Sequence, residues 1–127
     1  STISSIRLEH NVMYQNEECL KVHIKFTVNN MNGFKGYVIA WLYDNNGQSQ
    51  TSYNTNTKYA ANITSNHYVF AWDTFVSPYD SSIWNDYVLY IPNSLISTSG
   101  YVKAEIREYS TNKTLDYSTK ATFTKIK

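Results

Sequence analysis

The chain has one cysteine, two prolines and four glycines in 127 residues. A lone Cys19 excludes an internal disulfide framework, so the fold is held by its core. No flanking motif activates Cys19, which reads as a small structural residue. The four glycines are isolated, and none forms the Gly-x-Gly of a phosphate-cradling loop. The longest apolar run, residues 37–43, is far too short to cross a bilayer. Charge of either sign is also scarce: 11 basic residues against 10 acidic ones leave a net charge of +1. With no basic arm or stripe, a phosphate-tracking nucleic-acid surface is not expected.

Amphipathic alternation is abundant. Leu20, Val22, Ile24, Phe26 and Val28 interleave with Lys21, His23, Lys25, Thr27 and Asn29. A strand sends successive side chains to opposite faces, so this segment has one apolar and one polar face. Residues 6–12, 66–76, 101–109 and 115–124 carry the same period, the last as one strand. Residues 36–43 are apolar on both faces and predict a central strand. Residues 86–91 predict a strand stopped by Pro92, which cannot donate to a ladder. Residues 93–96 suit one helical turn. Asn29–Gly33 and Asp44–Gly47 are turn signals, with Gly33 free to take positive φ. Residues 48–53 suit a short edge strand, and 54–65 and 77–82 read as loops. The 14 asparagines fall mostly between apolar runs, where they tolerate turn geometry.

Seven or eight strands with no long helix predict an all-β fold of one domain spanning 1–127, excised from a larger protein or processed. An antiparallel β-sandwich is expected, with a closed or partly open barrel as the alternative. Trp41 and Trp72 lie in strand interiors and read as core.

Chemistry is sparse. His10, His23 and His67 form no ligand pair of short spacing and read as solvated or capping residues, so no metal centre or other cofactor is expected. No serine sits in a Gly-x-Ser-x-Gly elbow. Asp44, Asp73, Asp80 and Asp86 lie at loops, yet show no calcium-loop spacing; turn capping is the simpler role, and a calcium-dependent function the less favoured one. Asn62–Thr64 and Asn112–Thr114 match the glycosylation acceptor pattern, common by chance in an Asn-rich chain. Aromatic content is the one biased feature with functional meaning. Tyr79, Trp84 and Tyr87 lie in or beside the Pro78 loop with Asp80, and Tyr53 and Tyr59 flank the other long loop. The Pro78-loop segment either plugs one end of the sandwich, the favoured reading, or presents rings and Asp80 to a ligand such as a sugar.

The succession Glu9-His10-Asn11-Val12, Val22-His23-Ile24-Lys25-Phe26, Ala40-Trp41-Leu42-Tyr43-Asp44, Pro78-Tyr79 and Tyr90-Ile91-Pro92 resembles small all-β accessory domains of bacterial multidomain proteins, of C2-like or immunoglobulin-like sandwich type. The resemblance implies an accessory module without catalysis, and together with the polar Asn/Ser/Thr/Tyr-rich composition it leads to an expected place at the bacterial cell envelope or exterior. It carries over no functional residue. Together these readings predict a non-catalytic module that binds a protein or another domain of its parent chain, with carbohydrate binding as the alternative.

Overall fold

A computed structural model describes residues 1–29, 33–52, 61–63, 66–79 and 81–125. The described residues form nine strands in two antiparallel sheets. The first sheet holds β1 (Thr2–Tyr14), β2 (Glu17–Asn29) and β6 (Ser81–Pro92), in the order β1-β2-β6. The second holds β3 (Lys35–Asp44), β4 (Ala61–Ile63), β5 (Val69–Val76), β7 (Gly100–Glu108), β8 (Thr114–Tyr117) and β9 (Ala121–Phe123). Its order is β4-β5-β3-β7-β8, with β9 also on β7. Among the described residues the sheets stay separate and close no barrel, so the architecture is a sandwich.

Turn chemistry sets the registers. Gln15 and Asn16, at φ 50° and 67°, join Tyr14 to Glu17 in a two-residue hairpin whose twist suits antiparallel strands. After β3, the Asp44 carboxylate accepts the backbone N–H groups of Asn46 and Gln48, and Gly47 takes φ 82°. Residues 48–52 then run between β3 and the start of β5 through backbone hydrogen bonds and the isolated bridges Tyr43–Ser49 and Thr51–Tyr68, and among the described residues they form no continuous edge strand. Gly33 does adopt positive φ, at 78°. Gly100 is required for another reason: a Cβ there lies 1.8 Å from the Tyr43 carbonyl oxygen of the neighbouring strand.

The even positions of β2 meet the inward faces of β3, β5 and β7. Val22, Ile24, Phe26 and Val28 pack against Val38, Ala40, Val69, Ala71, Val102, Ala104 and Ile106, all fully buried. At roughly 25 cal/mol per Å² of apolar surface removed from water, this cluster is the main source of stability.

Besides residues 48–52, four further points differ from the sequence reading. Residues 61–63 pair with β5 instead of lying in a loop. β6 begins at Ser81, five residues before the expected start. The expected last strand divides into β8 and β9, because Ser118 turns inward and its Oγ accepts the Ala104 N–H at 2.8 Å. Finally, Trp41 and Trp72 are not core. In β3 the small aliphatic set Val38, Ala40 and Leu42 faces the other sheet, and the aromatic set faces out. Between Asn29 and Gly33, and from 53 to 60 with Tyr53 and Tyr59, the expected turn and loop lie outside the described residues.

Candidate functional site

The outer faces of the two sheets differ, although the first also carries the stacked pair Tyr14 and Tyr90. On the first sheet, Arg7, Glu9, Lys21, Lys25 and Asp86 surround His23 at the middle strand. His23 is 6% exposed, not solvated as its polar neighbours suggested. Its Nδ1 lies 2.6 Å from Asp86 Oδ1 and its Nε2 lies 3.0 Å from Glu9 Oε1. Arg7 Nη2 approaches the same ring at 3.4 Å. One imidazole thereby ties β1, β2 and β6 together. The two carboxylates meet opposite sides of the ring, and among the described residues no group of three or more His, Cys, Asp or Glu is placed to hold a metal ion.

The second sheet presents rings. Strand β3 contributes Tyr37, Ile39, Trp41 and Tyr43, β5 contributes Phe70 and Trp72, and β7 with its following turn contributes Tyr101 and Tyr109. Tyr37 stacks on Tyr109 at 5.0 Å between centroids and meets Trp72 edge-on at 5.6 Å. Tyr43 stacks on Tyr101 at 4.9 Å, and Trp41 lies 5.0 Å from Phe70. Tyr37, Ile39, Phe70, Trp72, Tyr109 and Asn112 line an open groove of about 410 Å³. Ile39 is nearly buried beneath the rings, whereas Trp72 is 36% and Tyr109 43% exposed. These rings lie side by side at the surface, where large apolar side chains are more often scattered singly.

Glu105 anchors this face from beneath. It is fully buried and accepts hydrogen bonds from Trp41 Nε1 at 2.8 Å, Arg107 Nε at 2.9 Å and the Thr114 hydroxyl. Burial by itself raises a carboxyl pKa; here the three donors and the Arg107 charge outweigh it and hold Glu105 below the ordinary value. The network locks the Trp41 indole against the sheet and Arg107 beside it, with the guanidinium carbon 5.8 Å from the Trp41 ring. Burial, then the neighbouring tyrosines, push the Tyr37 and Tyr43 hydroxyls up, so both rings stay neutral at physiological pH.

The residues singled out from the Pro78 loop fall elsewhere. A bulge in β6 sets Asn85 and Asp86 opposite the single residue Lys25, between the pairs Ile24–Tyr87 and Phe26–Trp84. The extra residue turns both Trp84 and Tyr87 toward the core. Trp84 stacks on Phe26 at 4.9 Å and meets Phe75 edge-on at 5.0 Å. The Tyr87 hydroxyl donates to the Thr74 carbonyl at 2.9 Å, and burial, then the nearby Asp73, raise its pKa. Tyr79 stays 70% exposed, at an open hollow shared with Val76, Ile83 and one side of Trp84. Asp80 lies outside the described residues. Trp84 and Tyr87 therefore pack against the core, whereas Tyr79 stays outside it. The other acids serve separate roles: Asp44 caps its turn, Asp73 accepts the Thr74 N–H and Asp86 meets His23. Cys19 is fully buried, and burial, then Glu17, push its thiol up to about 11, which suppresses the thiolate.

One signal of the aromatic face is visible in the sequence. Residues 37, 39, 41 and 43, and 70 and 72, put their largest rings on one parity and small aliphatics on the other. No protein-family model matches the chain, and no curated protein and no solved structure matches it.

Proposed function

We propose that the chain is a non-catalytic binding module, of the C2-like or immunoglobulin-like accessory kind, that docks a polypeptide on the outer face of its second sheet. The observation that carries this reading is the groove between Trp72 and Tyr109, floored by Tyr37 and Ile39. Its lining is mostly apolar. Its polar side-chain groups are Asn112, two tyrosine hydroxyls and the Trp72 indole N–H, and the rings of Tyr37 and Tyr109 already stack on one another. A pyranose needs a free ring face and a partner for each hydroxyl; an apolar side chain needs neither. The Trp72 ring, which Tyr37 meets only edge-on, keeps carbohydrate as the second reading.

Selection of a random displayed peptide library on the domain tests this. Enriched peptides should carry aromatic or aliphatic anchors, lose binding to Trp72→Ala and retain it on Tyr79→Ala. Peptides that ignore Trp72→Ala and fail on Tyr79→Ala would move the site to the Val76–Tyr79–Ile83 hollow. Quenching or protection of tryptophan emission by soluble glycans, with no peptide enriched, would favour the carbohydrate reading.

A further inference from the structure

Resting on that docking reading, we infer that the partner is acidic: an extended segment whose apolar side chains enter the groove and whose carboxylates meet a row of cations on the same face.

The chain as a whole is nearly neutral, at +1. Its charge is nonetheless segregated. The outer face of the first sheet mixes Arg7, Lys21 and Lys25 with Glu9 and Asp86, and both of these acids meet His23. The outer face of the second holds Lys35, Lys103 and Arg107 on its strands, with Lys120 from the segment after β8. Glu105 is the acid among them, and it is buried and already engaged by Arg107. Lys35, Lys103 and Lys120 make no ion pair among the described residues. Each sits over a ring: Lys35 Nζ is 3.8 Å from the Tyr109 centroid, Lys120 Nζ 4.6 Å from Tyr101 and Lys103 Nζ 5.1 Å from Tyr117. A ring engages one side of an ammonium and leaves other N–H donors for an incoming acceptor.

The spacing suits an extended chain. Tyr37 pairs with Arg107, Trp41 with Lys103 and Tyr43 with Tyr101, beneath Lys120. From Lys35 to Tyr43 the cations therefore recur over eight strand steps, about 26 Å. A partner strand repeats its same-side residues about every 6.6 Å, so a segment of similar length can place carboxylates along the row and apolar side chains in the groove. Positive potential on this face also speeds encounter with such a partner and disfavours basic ones.

The test is fluorescence anisotropy, on the intact domain, with three short labelled peptides in which Thr fills every second position and the positions between, which share one side of an extended chain, alternate Phe with Glu, Lys or Ser. The Glu–Phe peptide should bind best, and weaken about tenfold as salt rises from low to several-fold above physiological ionic strength. Lys35→Glu with Lys103→Glu should remove that binding and transfer it to the Lys–Phe peptide, with Lys35→Gln and Lys103→Gln as the milder pair should the reversal unfold the domain. Equal, salt-insensitive binding of all three peptides would overturn the acidic partner while leaving the polypeptide dock standing. Binding of none of them, with polygalacturonate bound instead, would overturn both and assign the face to an acidic glycan; binding of neither would also overturn both.

Discussion

Replacing Glu105 by leucine should be among the most costly single changes outside the apolar core. The carboxylate has no solvent exposure and receives three donors, two of them at 2.8 and 2.9 Å. Leucine leaves the Trp41 indole N–H and the Thr114 hydroxyl facing an apolar side chain, and strips Arg107 of its counter-charge. Removing one member of a buried pair costs about 3–5 kcal/mol. Arg107 is 27% exposed and regains water, so the lower end, about 3 kcal/mol, applies. That corresponds to a fall in Tm of roughly 10 °C for a domain of this size. Glu105→Gln keeps the shape, loses the charge and turns an NH₂ toward the donors; about 2 kcal/mol is expected. The pH dependence carries a definite sign. In the folded protein the Glu105 carboxyl titrates below its ordinary 4.5. Its stabilisation is therefore full above that value, and declines as pH falls through it toward the folded-state pKa. Urea unfolding at pH 7 and at stepwise lower pH measures both effects. A Glu105→Leu variant within about 0.5 kcal/mol of the parent at pH 7 would refute the reasoning, as would a Glu105→Gln deficit that does not shrink on acidification.

Phe26→Ala removes a fully buried ring that contacts Phe75, Trp84 and Tyr87, and should cost about 3–5 kcal/mol by denaturant unfolding. Gly100→Ala drives a Cβ into the Tyr43 carbonyl, so the β3–β7 ladder should open there, read as a loss of amide protection around residues 42–44 and 100–102. His23→Ala leaves Glu9 and Asp86 without their shared partner; both are more than half exposed, so solvent screening limits the cost to about 1 kcal/mol. The Cys19 thiol should resist a disulfide reagent at neutral pH until urea unfolds the domain, and rapid native-state labelling would contradict its burial.

Much of the fold was legible because β2 and β7 alternate cleanly and the hairpin turns carry Asn, Asp or Gly. The failures share a cause: period two identifies a strand but not which face is inside when both are apolar. Strand β3 is such a case. The inter-sheet space takes Val38, Ala40 and Leu42, which leaves Tyr37, Trp41 and Tyr43 outside. Bulges hide in the sequence for a related reason. One extra residue at Asn85–Asp86 reverses the parity of β6, which puts Trp84 and Tyr87 on the same side although their numbers differ by three. His23 looked solvated because its partners are remote, 14 residues away at Glu9 and 63 at Asp86. Period and turn chemistry are local properties; the aromatic groove and the histidine clamp depend on strand order.

The central claim is that the ring-bearing face of the second sheet, and not the Pro78 segment, receives a partner. The most direct measurement follows the three tryptophan indole N–H signals by ¹⁵N correlation NMR, assigned with single Trp→Phe variants, during titration with the Glu–Phe peptide. The account predicts that the Trp72 signal moves most, that Trp41, held by Glu105, moves less, and that Trp84, stacked on Phe26, stays in place. A shift confined to Trp84, or saturation of the peptide with Trp72 unmoved, would contradict it.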